Sequence, residues 1–98
     1  MTEIFHSSVA VAAAGNSNPV IVKRLSQCTV TVIPGAGATA ACQYTTSSDA
    51  EVAAGTANWI NWPAGQVSSP SSDAILYRVT ALRLSATGAA KLEVLGNE

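Results

Sequence analysis

Both tryptophans of this chain fall in one short run, Asn58-Trp59-Ile60-Asn61-Trp62-Pro63, each beside an asparagine. An indole offers a flat apolar face and one N–H donor, and an amide adds a donor and an acceptor. That set suits stacking on a sugar ring or anchoring a protein partner. In a strand Trp59 and Trp62 point to opposite faces, so one can be buried while the other lies near the surface. The competing use of both rings is bulk, in a core otherwise built from Ala and Val.

The remaining reactive side chains are scattered. Cys28 and Cys42 flank the Pro34-Gly35-Ala36-Gly37 turn at positions that set them opposite or nearly opposite across a hairpin, where a disulfide is geometrically conceivable. In a reducing compartment the expected state is two buried thiols acting as small hydrophobes. His6 stands alone and no CxxC spacing exists, which disfavours zinc. Asp49, Glu51 and Asp73 lie in polar segments without the D-x-[DN]-x-[DN]-G calcium pattern, and no GxGxxG or Walker sequence cradles phosphate. The expectation is therefore no catalytic residue, no metal and no cofactor, and a chain that is not an enzyme.

What positions these residues is a β framework. The run from Val79 to Leu95 alternates about Gly88, and in a hairpin centred there Leu84 faces Leu92 and Leu82 faces Val94. The same register sets Arg83 against Glu93 and Ser85 against Lys91 on the opposite, solvated face. Upstream, Ile4 to Ala14 alternates with Phe5, Val9 and Val11 on one side, ending in the turn residues Gly15 to Pro19. Val20 to Leu25 reads as a second strand, apolar enough at its start to be buried on both faces. In Cys28 to Ile33 the cysteine, Val30 and Val32 face inward and Thr29 and Thr31 outward. Thr39 to Thr46 returns with Ala40, Cys42 and Tyr44 inward.

Ser48-Asp49-Ala50-Glu51 has the form of a capping box, but Gly55 stops any helix within two turns, so a loop or single helical turn is expected. Thr56 to Trp62 reads as a short strand and Val67 to Asp73 as a polar connection. Ile75 to Tyr77 opens the strand running into the terminal hairpin, with a bulge near Thr80 where the inward phase shifts. Seven or eight short strands spaced by turns predict an all-β fold: one antiparallel β-sandwich, jelly-roll-like, spanning 1–98.

Composition narrows the partners. Ala, Ser, Thr and Gly fill 45 of the 98 positions and charged residues only 11%, with a net charge of −1. Such a surface has no electrostatic footprint for nucleic acid or anionic lipid, which disfavours both as partners, and little colloidal repulsion against copies of itself. Val9 to Ala14 is far shorter than the ~18 residues of a membrane span, and no basic residue precedes Lys23, so no targeting signal is expected.

The run from Ala57 to Val67, with Val79-Thr80-Ala81-Leu82-Arg83-Leu84 and Thr87-Gly88…Leu92-Glu93-Val94, resembles small structural proteins of tailed bacteriophages, of the capsid decoration or cement type. The similarity covers roughly the C-terminal half, in a loose W-x-x-W-P-x-G plus V-T-A-L-R-L pattern. It implies a non-enzymatic virion protein, made in the host cytoplasm and placed on the capsid surface. Its partners would be the major capsid protein or other virion proteins, and it would form a homo-oligomer, by family precedent a trimer. Ile4, Phe5, Trp59 and Trp62 are then the candidate interface residues, with Ile4 and Phe5 in a contact arm. The alternatives are a host-adhesion or carbohydrate-binding module of a tail fibre, with a tryptophan on sugar, and a ring-forming head–tail connector or tail-completion protein.

Overall fold

The computed structural model describes residues 4–62 and 65–97. Nine strands and one helix follow in the order β1 (Ile4–Val11), β2 (Gly15–Asn16), β3 (Val20–Ile21), β4 (Gln27–Pro34), β5 (Ala40–Thr45), α1 (Asp49–Ala54), β6 (Ile60–Asn61), β7 (Ser71–Ile75), β8 (Ala81–Ala86) and β9 (Ala90–Asn97). All strand pairings are antiparallel and they form two sheets. Sheet 1 has the order β1-β9-β4-β7, and sheet 2 the order β2-β8-β5-β6 with β3 also on β8.

The short strands β2 and β3 are one strand, interrupted. Gly15 and Asn16 pair with Ala86 and Ser85, while Val20 and Ile21 pair with Leu82 and Ala81, so residues 17–19 stand against only two partners. That is a bulge, and Ser17 fills it: its N–H donates to the Leu84 carbonyl at 2.8 Å and its hydroxyl accepts from Leu84 N–H at 2.9 Å. Counted as one strand, β2 and β3 leave eight strands in the orders first-eighth-third-sixth and second-seventh-fourth-fifth. This is the double Greek key of the jelly roll, and the expected all-β sandwich is the fold.

The inward phases read from the sequence hold in β4, β5, β8 and β9 but not at Tyr77, expected inward with Val79 and found exposed, and two of the pairings do not hold. Leu82, Leu84, Leu92 and Val94 are all fully buried. Yet β8 belongs to sheet 2 and β9 to sheet 1, so 82–86 and 90–95 do not form a hairpin about Gly88. Residues 87–89 carry the chain across the sandwich, and the leucine rows enter the core from opposite sheets. Glu93 accordingly pairs with Lys91 two places along its own strand, at 3.6 Å, and not with Arg83. The same correction applies to the cysteines. β4 and β5 lie in different sheets, so Cys28 and Cys42 join one core as free buried thiols from its two sides and are not cross-strand neighbours.

The phase shift near Thr80 is likewise a change of sheet. β7 ends at Ile75 on sheet 1 and β8 begins at Ala81 on sheet 2, which leaves Leu76 and Tyr77 exposed between them. Part of the expected polar connection, Ser71 to Asp73, is strand, because it pairs with Thr31, Val32 and Val30 of β4. The first strand ends at Val11, short of Ala14. The second is only Val20–Ile21, buried on one side, with Ile21 exposed. Of Thr56 to Trp62 only Ile60–Asn61 is strand, although Trp62 N–H continues the ladder to the Cys42 carbonyl at 2.9 Å.

The helix matches its local signals. Ser48 Oγ accepts from Glu51 N–H at 3.2 Å and Ser48 N–H donates to Glu51 Oε1 at 3.1 Å, closing the capping box. Gly55 ends the helix at a φ of 79°, a left-handed conformation that a side chain would strain. Gly96 has a different reason to be glycine: a Cβ there would meet the Gln27 carbonyl oxygen and Cys28 Cβ, each at 2.7 Å, where β9 crowds β4.

Two outcomes follow from this core. Leu84→Ala should cost about 2–5 kcal/mol in denaturant unfolding, since the vacated volume is walled by both sheets. The thiols give a pH signature. Burial pushes Cys42 up to about 12, with Cys28 adding to the rise, and burial also raises Cys28. Folded thiols thus keep protons that unfolded ones lose above pH ~8.5, so their contribution is complete below that pH and falls as pH rises towards 12. Unfolding midpoints measured from pH 7 to 11 should decline, and Cys42→Ala should flatten the decline.

Candidate functional site

The outer face of sheet 2 carries a short row of polar side chains fixed by register. Gln43 lies directly opposite Arg83 on one side and Asn61 on the other. Gln43 Nε2 donates to Asn61 Oδ1 at 2.9 Å, and Arg83 Nε donates to Gln43 Oε1 at 2.7 Å. The Arg83 guanidinium also sits 4.6 Å from the centroid of the Trp59 ring. Arg83 is therefore held by an amide and a π face, with no ion pair to a carboxylate among the described residues, and partial burial lowers its pKa from the ordinary arginine value. One face of Trp59 is occupied by this contact.

Trp62, three residues on, turns to the other side as the alternation requires, and is buried in the common core. It closes the side of the sandwich where the edges β6 and β7 meet, beside a cavity of about 50 Å³ lined in part by Val30, Val32, Cys42 and Val67. Its Nε1 is buried with no hydrogen-bond partner among the described residues. Trp62 thus serves as bulk.

The other two candidate residues sit across the molecule. Phe5 is half-buried against the core and lines a groove with Ile21 and Leu25, on the side where β1 and β3 form the sheet edges. Ile4 is 75% exposed. Ile4 and Phe5 are thus part of an eight-residue strand paired along its whole length with β9, not a separate arm. The structure joins Ile4 to Phe5 and sets Trp59 and Trp62 on opposite faces of β6, but it does not bring the two pairs together.

A surface that single residues did not announce is the outer face of sheet 1. The registers place His6, Leu95, Thr29 and Ala74 in one row and Ser8, Glu93, Thr31 and Ser72 in the next. Ser8, Ala10, Thr29, Thr31, Ser72 and Ala74 make much of the face small, Ile4, Ile33 and Leu95 add apolar area, and its charges Lys91 and Glu93 pair with each other. At one end the exposed Leu76 and Leu95 flank a groove floored by Thr29 and Ala74. Among the described residues no group of three or more His, Cys, Asp or Glu is placed to hold a metal ion. No family model and no curated protein matches the chain.

The two tryptophans should respond differently to substitution. Trp62→Ala should cost about 3–5 kcal/mol by opening a cavity. Trp62→Phe should cost less, because an aromatic ring still fills much of the volume. For Trp59, a double-mutant cycle with Arg83 should give a coupling of about 0.5–1 kcal/mol, whereas Arg83 with Glu93 should give none. Thermal or denaturant unfolding of the variants measures all of these.

Proposed function

We propose that the protein is a non-enzymatic structural component that works by binding other protein subunits and, from the resemblance of its C-terminal half, that it is a capsid decoration protein seated on the major capsid protein of a virion. The observation that carries this reading is the outer face of sheet 1. Its inner strands β9 and β4 are paired on both sides, short side chains such as Ser8, Thr29, Thr31, Ser72 and Ala74 occupy much of its middle, and its two charges cancel, so little hydration is lost when another surface covers it. Leu95 and Leu76 supply apolar anchors at one end of that face. Jelly rolls serve as capsid domains and as lectins alike, so the architecture is compatible with this role without selecting it.

A second reading rests on Trp59, where an aromatic ring beside Asn61, Gln43 and Arg83 has the composition of a glycan platform in a tail-fibre adhesion module.

Virions assembled without the protein should form normally yet break at lower temperature or under milder osmotic shock. Its binding to capsids should depend only weakly on salt, as few charges are present to be screened. Leu95→Asp should weaken binding while leaving the fold intact. Particles equally stable without the protein but unable to attach to cells would establish the glycan reading instead, and that defect should be reproduced by Trp59→Ala.

A further inference from the structure

A sheet edge exposes unpaired N–H and C=O groups, and proteins usually blunt such edges with breaks, prolines, charges or short strands. Three of the four edges here are blunted. The β2–β3 edge is broken by the bulge at residues 17–19, which includes Pro19. β6 is two residues long. β7 follows Pro70 and carries Asp73 opposite Val30, on the side of the strand that faces the core.

β1 has none of these devices. It runs for eight residues, Ile4 to Val11, without a proline, a glycine or a carboxylate, lysine or arginine, and its register to β9 is unbroken over all eight pairs. Its core-side row is also incomplete: Phe5, Val9 and Val11 pack on the core but stay only half-buried. Ile21, lining the groove beside Phe5, is exposed as well.

We propose that β1 pairs antiparallel with β1 of a second copy of this chain, joining the two four-stranded sheets into one of eight strands. Symmetry restricts the register. A two-fold axis between antiparallel strands runs perpendicular to the sheet, and side chains directly opposite each other share a face, so odd-numbered residues must meet odd ones. The axis therefore passes at Ser7 or at Ser8, pairing residues 4–10 or 5–11 of each copy. In the first register Phe5 meets the second copy's Val9, and in the second register its Val11. Either one gives Phe5 an apolar partner, while Ser7 meets Ser7 in the first register and Val9 in the second, and His6 meets Ser8 or Ala10 on the outer side. Nothing in the strand opposes the match, because no two like charges are brought together. A second copy is favoured over a foreign segment because this strand presents to itself equal length, no charge and the same inward row. Both sandwiches then lie on one side of the joined sheet, and the neutral outer face is doubled in area. The pairing does not depend on the capsid reading.

The test is sedimentation equilibrium of the whole chain over a dilution series, with circular dichroism to verify folding. The expected species is a dimer at high concentration that dissociates to the 9.9 kDa chain on dilution. Ser8 is exposed on the outer face near the axis, so Ser8→Lys and Ser8→Glu should each fold and each dimerise several-fold more weakly. Mixing the two should restore dimer, an outcome that a general loss of stability cannot produce. Proline gives a backbone readout. Along an antiparallel strand N–H groups alternate in direction, so one of Ser7→Pro and Ser8→Pro breaks the β9 ladder, while the other keeps the fold and abolishes the dimer. A chain that stays monomeric at every concentration overturns the proposal. So does a trimer, or a dimer indifferent to the lysine, glutamate and fold-preserving proline changes.

Discussion

The structure depends on two rows of side chains meeting across the gap between the sheets. Leu82 and Leu84 enter from sheet 2 and Leu92 and Val94 from sheet 1, all fully removed from water. In a chain with few large apolar residues, these with Val30 and Ile75 supply most of the deeply buried bulk, and small residues such as Ala40 and Ala81 fill the space between. A strand shifted by one residue would turn its row to solvent, so the stacking fixes the register of every central strand. The polar row of Gln43, Asn61 and Arg83 is a by-product of that register, since residues facing away from the leucines are set opposite one another without further choice.

Alternation in the sequence reports which side of a strand is apolar and is silent on which strand lies beside it. That is why the inward phases of Leu82 to Val94, of Cys28 to Val32 and of Ala40 to Tyr44 were legible, while the hairpins about Gly88 and Pro34 were not. A hairpin and a crossing between stacked sheets place the same residues inward, and both need a short turn. The shift near Thr80 is ambiguous for the same reason, because a bulge and a change of sheet each reset the phase. Local chemistry carried more. The capping box at Ser48 and the stop at Gly55 involve residues within one turn of helix and read directly. At the site, the opposite orientation of Trp59 and Trp62 follows from their spacing alone. The stacking of Arg83 on Trp59 joins residues far apart in the chain, and only the pairing of β5 with both β6 and β8 brings them within reach.

The placement of charge has a common sense across the molecule. The pair of Lys23 with Asp49 sits on exposed loop and helix residues, and that of Lys91 with Glu93 is self-contained on one strand. Neither adds much stability, as exposed pairs rarely do. Each sets a positive charge beside a negative one, so neither leaves an isolated charge on its part of the surface.

The position of β9 has a kinetic consequence. It is the last strand in the chain order and lies between β1 and β4, so sheet 1 has no centre until residues 90–97 are present. Among the described residues β1 pairs with no other strand, and its pairing closes the long loop between Val11 and Ala90. Among consecutive strands only β5 and β6 pair with each other. The loop-closure entropy is therefore spent before most contacts return anything, which places the molecule among slow folders, on a scale of milliseconds to seconds. Until residues 90–97 are made, β4 can pair with β7 but β1 lacks its partner strand. In that interval the uncharged β1 is the segment most open to premature association.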